Sequence, residues 1–273
     1  HRHTFYPLDP IRPISGLILP EGFPSHPHRG FQTVTYVMKG GMVHRDNFGV
    51  KQVYREGSVQ WLNAGSGIMH EEMWETSPWK PSEIEIYQIW VNLPKALKME
   101  KPSIQLFGEG TEDPIPLYEP SKGTKVRVIA GSIGDAKSPC KIAHSELLML
   151  HVTMEVGQKL VLPLKENFSC LTYVRKGKIS FPEEKMVETH QIAWYSNEGD
   201  EFTAENRGSE ELDFLLLAGE KINEPVAMGG SFVMNSEWEI QRARADYMEG
   251  FFGSPWDHKI SDEEWRKGTE RKL

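Results

Sequence analysis

Cysteine is nearly absent: the 273-residue chain has two, Cys140 and Cys170. Neither sits in a Cys-x-x-Cys pair, which excludes a disulfide framework and reads as reduced thiols in a reducing compartment. A run of 18 apolar residues is also lacking, so no segment reads as a membrane-spanning helix. Positive charge is in deficit. Lys and Arg number 31 against 39 Asp and Glu, the net charge is −8, and no basic stripe is visible. Direct binding to a nucleic-acid backbone needs clustered cations and is disfavoured. The opening "HRHTFYPLDPIRP" has no apolar signal core. With the reduced thiols, this gives the expectation of a cytoplasmic protein, or a nuclear one in a eukaryote. Helical periodicity is scarce until "SEWEIQRARADYMEGFF", which sets Trp238, Ile240, Ala243, Tyr247 and Met248 near one face with Gly250 as a stop.

What is present is β texture. Hydrophobic residues make up 38% and charged residues 26%, as in an ordinary globular protein. The length suits two domains of roughly 100–150 residues. Runs rich in Val, Ile, Thr, Tyr and Phe recur at Thr33–Met38, Val59–Leu62, Ile84–Val91, Val126–Ala130, Leu147–Met154, Leu171–Val174, Gln191–Tyr195 and Leu212–Ala218. Gly, Pro, Asn and Asp punctuate them, as in sandwiches or barrels. The proline-rich stretch Leu93–Lys125 reads as a connector. We therefore expect an all-β protein with an N-terminal domain over residues 1–120. A second domain with a short C-terminal helix is expected over 121–273.

An internal echo supports duplication. "HPHRGFQTVTYVMKGG" resembles "PLKENFSCLTYVRKGK". Laying Thr35 on Thr172 puts Phe31 on Phe168, Tyr36 on Tyr173 and Gly40 on Gly177. Downstream, after a four-residue gap, "QWLNAGSG" finds a weaker echo in "AWYSNEGD", with Trp61 on Trp194. Under the first alignment His26 and His28 meet Pro163 and Lys165, and after a one-residue gap beyond the Trp61 match His70 and Glu72 fall near Ala204 and Asn206. The second copy does without every one of these groups, so the fold does not need them and the first copy has its own reason to keep them.

Side chains two apart on a strand share a face. His26 and His28 form one such pair, and His70 and Glu72 another. On facing strands the pairs would converge as three imidazoles and a carboxylate. That set suits Fe(II), Mn, Co, Ni, Cu or Zn and suits Mg or Ca poorly. Gln32 is a candidate for orienting a ligand. Glu71 should point away from Glu72 into solvent. His44, in the turn-rich "GGMVHRDNFG", reads as a surface or hairpin histidine. His144, His151 and His190 have no partner motif. Trp61, Trp90 and Trp194 read as core, and Gly65 and Gly67 as shaping the turn ahead of His70.

"GFPSHPHRGFQTVTYV", "QWLNAGSGIMHEEM", "IYQIWVNLP", "LLAGEKINEPV" and "SFVMNSEWEI" together resemble the pirin family of the cupin superfamily, from about Pro20 to about Gly253. The resemblance implies two cupin jelly-roll barrels. It implies one metal site, in the first barrel, held by His26, His28, His70 and Glu72, with Fe(II) as the usual ion. The family often has glutamate at the position of Gln32, where this chain departs. One implied activity is a quercetin 2,3-dioxygenase type of reaction on a small aromatic substrate such as a flavonol, with O2, in which Glu72 takes the substrate proton. The other is a metal- or redox-responsive co-regulator that binds a protein partner, with no direct nucleic-acid or membrane contact. A metal-free structural bicupin is the third alternative.

Overall fold

Each β-branched or aromatic run named above falls on a strand of the computed structural model, which describes residues 2–6, 21–77, 79–144, 146–181, 185–196 and 198–270. The chain divides into two compact units, one of residues 1–112 with 223–273 and one of 113–222. The first unit holds β1 (Arg2–Phe5), β2 (Gly22–His28), β3 (Phe31–Lys39), β4 (Gly41–Asp46) and β5 (Lys51–Arg55). It continues with β6 (Ser58–Asn63), β7 (Ile68–Trp74), β8 (Ser82–Asn92) and β9 (Ser103–Gly108). These form a five-stranded sheet in the order β1-β8-β3-β6-β9 and a four-stranded sheet in the order β2-β7-β4-β5.

The second unit holds β10 (Leu117–Ser121), β11 (Thr124–Ala130), β12 (Ser132–Ile133), β13 (Ala136–Lys137), β14 (Leu147–Met154) and β15 (Lys159–Pro163). Next come β16 (Phe168–Lys176), β17 (Lys178–Ser180), β18 (Met186–Glu188), β19 (Ile192–Trp194), β20 (Glu201–Glu205) and β21 (Leu212–Glu220). Its main sheets run β10-β11-β14-β21-β16-β19 and β15-β20-β17-β18. Each unit is thus an antiparallel two-sheet barrel, and the architecture is all-β as expected.

The duplication is visible in the pairing itself. Val34 stands opposite Trp61 in the first barrel, and Leu171 opposite Trp194 in the second. A register shift falls between Val37 and Lys39 in one and between Val174 and Lys176 in the other. Gly40 and Gly177 turn the chain at the matched position with φ of 78° and 76°, a region where any side chain is strained. The contents differ. Where β2 faces β7 with histidines, β15 faces β20 with Leu162 against Phe202 and Leu160 against Ala204, all buried. At these positions the second barrel has apolar side chains, which offer an ion no ligand.

Three expectations need correction. The proline-rich connector carries β9 and β10, which pair with β6 and β11. Prolines stand just before β9 and β10 and within β10, an edge strand, where no ladder hydrogen bond is lost. Trp90 and Trp194 are substantially exposed, and of the three tryptophans Trp61 alone is core. The C-terminal segment, assigned above to the second domain, belongs to the first unit.

That segment forms the hairpin β22 (Ala227–Gly229) and β23 (Phe232–Met234), then α1 (Glu237–Met248) and α2 (Asp262–Glu270). Ser236 caps α1: its Oγ accepts from the Glu239 N–H and donates to the Glu239 carboxylate. The buried face of α1 is narrower than its sequence suggested. Ile240 and Ala243 are buried with Phe232, Phe252 and Met69, whereas Trp238 and Met248 are exposed.

Three buried cations bind the segment to the barrel. Arg29 pairs with Asp246 at 2.7 Å, donates to the Ser66 carbonyl at 2.6 Å and lies 4.4 Å from the Phe252 ring. Lys98 donates to the carbonyls of Gly30 at 2.7 Å and Val233 at 3.0 Å, and burial pushes its pKa down to about 8. Arg45 pairs with Glu71 and donates to the carbonyls of Ile260 and His258, each at 3.0 Å. The approach is close: a side chain at Gly30 would meet the Val233 carbonyl oxygen at 2.2 Å. Removing one partner of a buried pair strands the other charge, at a cost of about 3–5 kcal/mol. Asp246→Ala should therefore lower the urea midpoint and speed protease cleavage within residues 223–273, both measurable on the metal-free chain.

Candidate metal centre

The strand alternation expected for the two histidine pairs holds, and the register does the rest. β7 lies between β2 and β4. His26 faces His70 across one ladder, and Asp46 faces His70 across the other. A bulge between Phe23 and His26 adjusts β2 ahead of its two histidines. Gly65 and Gly67 turn the chain before β7 with φ of 46° and 137°, the role expected of them.

His26, His28 and His70 meet with their ligand nitrogens all within 4.8 Å of one another. The Nε2 atoms of His26 and His28 are 3.1 Å apart. Each of these two rings turns Nδ1 to a backbone carbonyl, Pro24 at 2.8 Å and Ser231 at 3.4 Å. A carbonyl only accepts, so Nδ1 carries the proton and Nε2 presents a lone pair. His70 is fully buried, and its Nε2 has no hydrogen-bond partner among the described residues. Lone pairs crowded this closely repel unless a cation stands among them, and this donor set fits a first-row ion. Burial first, then repulsion from His26, holds the His28 pKa down to about 3; burial and its histidine neighbours hold His70 well below the usual imidazole range.

Glu72 is buried beside the trio but is not a member of it. Its Oε1 accepts from Tyr54 at 2.9 Å and Thr35 at 3.2 Å, and its Oε2 accepts from Gln88 at 2.8 Å. Burial, and then the Glu72 charge, pushes the Tyr54 pKa well up, so the phenol stays a donor. Trp90 donates to the Gln88 amide oxygen at 3.3 Å, which leaves that amide's nitrogen facing Glu72. Gln32 accepts from the Trp61 indole at 3.1 Å.

Two histidine-site expectations are overturned. Glu71 does point away from Glu72, yet it is buried against Arg45, because the C-terminal segment covers that face. His44 is not a surface residue; it is fully buried, 3.4 Å from His70 between ring nitrogens. Sequence reasoning also passed over Asp46, Tyr54, Thr35 and Gln88. A signal for one was present: His44-x-Asp46 has the same two-residue spacing as His26-x-His28. His151, which has no partner motif in the sequence, lies 3.0 Å from the Asp213 carboxylate in the second barrel.

Two family models match the chain, one in each half. The model described as pirin matches residues 3–91, and that of the pirin C-terminal cupin domain matches 149–253. The chain belongs to the pirin family. A pirin-like protein of Arabidopsis thaliana is 37% identical over 239 residues, spanning 86% of this chain and 84% of that one. The crystal structure of a quercetin 2,3-dioxygenase from Acinetobacter baumannii is 36% identical, with a TM-score of 0.79 over 85% of this chain and 80% of that one. The bacterial pirin YhhW from Escherichia coli, solved with nickel(II), shares the fold with a TM-score of 0.55 at 20% identity, over 73% of this chain and 77% of that one.

The low pKa of His28 has a thermodynamic consequence. Its folded value of about 3 lies below the 6.5 of an unperturbed histidine, so the unfolded chain binds more protons between those values. The contribution of a neutral His28 is complete above about pH 6.5 and is lost as the pH falls toward 3. In urea titrations of the metal-free protein, His28→Gln should flatten the pH dependence in that window by up to about 1.4 kcal/mol per pH unit.

Proposed function

We propose that this pirin is a metal-dependent dioxygenase of the quercetin 2,3-dioxygenase type, acting on a flavonol or similar small aromatic with O2. The observation that carries the reading is the convergence of three bare imidazole nitrogens beside a buried carboxylate. Likeness to the Acinetobacter enzyme over most of both chains supports it. His26, His28 and His70 hold the ion in this reading, with Fe(II) first among Mn, Co, Ni, Cu and Zn. When bound, such an ion supplies Lewis acidity toward an acidic hydroxyl and one-electron chemistry toward O2.

The chain's own groups do the rest. Exposed Trp90 packs 5.8 Å from the His28 ring and 4.4 Å from Phe31, offering an aromatic surface at the site. Glu72 is the proton acceptor. Tyr54 and Thr35 fix one of its oxygens, and the other bonds to Gln88, a residue on the exposed side. A substrate hydroxyl displacing the Gln88 amide would meet Oε2 and give up its proton there. Glu72, two residues from His70 on β7, is the candidate for a fourth position on the ion in this reading. An amide at position 72 keeps the shape and accepts no proton. In the reaction of this type both C–C bonds to the hydroxyl-bearing carbon of the heterocycle break, the two atoms of O2 end on the carbons that flanked it, and that carbon leaves with its oxygen as carbon monoxide.

The test reconstitutes the protein with Fe(II) under argon, then adds quercetin and air. Loss of flavonol absorbance with trapped carbon monoxide is the expected result. No turnover with Fe, Mn, Co, Ni or Cu despite bound metal would remove the reading. Glu72→Gln should lower turnover by about 10²–10⁴-fold, the usual worth of a general base. His70→Ala should abolish metal uptake by elemental analysis while the fold persists.

A further inference from the structure

We infer that Asp46 and His44 form a proton-fixing relay that holds His70 in the one tautomer able to bind a metal. The inference rests on reading the trio as ligands, and it adds two positioning residues from β4. His26 and His28 each have a backbone carbonyl to hold the Nδ1 proton. His70 meets another imidazole instead, Nδ1 to Nδ1 at 3.4 Å. An imidazole can donate or accept, so something must decide which ring carries the shared proton.

Asp46 decides it. Its Oδ1 is occupied by two backbone N–H groups, Phe48 at 2.8 Å and Val50 at 3.0 Å, in the turn from β4 to β5. Its Oδ2 lies 3.2 Å from His44 Nε2. A carboxylate oxygen accepts, so His44 Nε2 carries a proton and donates it. Neutral His44 then has a lone pair on Nδ1, and that lone pair accepts from His70 Nδ1–H. His70 Nε2 is left bare, facing the nitrogens of His26 and His28. The opposite proton order would aim an N–H into the trio and exclude a cation. All three groups are at most 1% exposed, so bulk water has no access to them. The register makes the arrangement rigid, with His44 and Asp46 on one face of β4 and β7 alongside.

Asp46→Asn is the sharpest probe. Its amide oxygen can keep the turn bonds, while its NH2 replaces the acceptor at His44 and reverses the proton order. With Ni(II) as the probe, chelator competition on the full chain should show Asp46→Asn and His44→Phe weakening affinity by about 10- to 100-fold, as loss of a ligand's supporting hydrogen bond does elsewhere. His44→Gln, which can accept from His70 and donate to Asp46 at once, should recover most of that loss. Unchanged affinity in Asp46→Asn, or equal losses in His44→Phe and His44→Gln, would overturn the relay. If His44→Phe does not fold, the unaltered chain still decides. Histidine ¹⁵N spectra of the metal-free protein should show His70 protonated at Nδ1, and protonation at Nε2 would overturn the proposal. Failure of the unaltered chain to bind Ni(II) or Fe(II) would remove the metal reading and the relay with it; normal binding with an indifferent Asp46→Asn removes the relay alone.

Discussion

Antiparallel pairing of β7 with β2 on one side and β4 on the other is the constraint from which the site follows. Strand alternation puts every second side chain inward, and the two ladders decide which inward residues meet. His70 gains His26 from one neighbour and faces Asp46 on the other. A slip of one residue in either ladder would turn a histidine to the opposite face. No single residue builds the centre; a register does, held by the backbone hydrogen bonds of the whole sheet.

The same alternation sends Arg45 and Glu71 to the outer face, and there the C-terminal segment becomes necessary. A buried ion pair is favourable only where its remaining donors and acceptors are satisfied. The carbonyls of Ile260 and His258 satisfy Arg45, as those of Gly30 and Val233 satisfy Lys98. The segment also supplies the Ser231 carbonyl that sets the His28 ring. The first barrel and its centre therefore depend on residues that follow the second barrel in the chain.

The second barrel is a built-in comparison. It keeps the register of the central strands, the bulge and the turn glycine, and it replaces the polar centre with Leu160, Leu162, Phe202 and Ala204. Both interiors are solutions to one packing problem. The apolar one gains burial energy outright, whereas the polar one must satisfy its buried nitrogens and oxygens through Tyr54, Thr35, Gln88 and Asp46 and, in the proposed function, through a cation.

By themselves, the residues determined the strand positions, the duplication, which half carries the histidines, and that His26 shares a strand face with His28 and His70 with Glu72. Those are local matters of composition, two-residue spacing and internal likeness, and they are readable along the chain. Tertiary structure alone decided that Glu72 sits beside the trio held by Tyr54, Thr35 and Gln88, that His44 is buried behind His70, and that Glu71 is paired away from water. It also placed the last fifty or so residues on the first barrel. The reason is physical: alternation states which face a side chain points to, but what covers that face is set by segments far away in sequence, whose contacts exist only once the chain has folded.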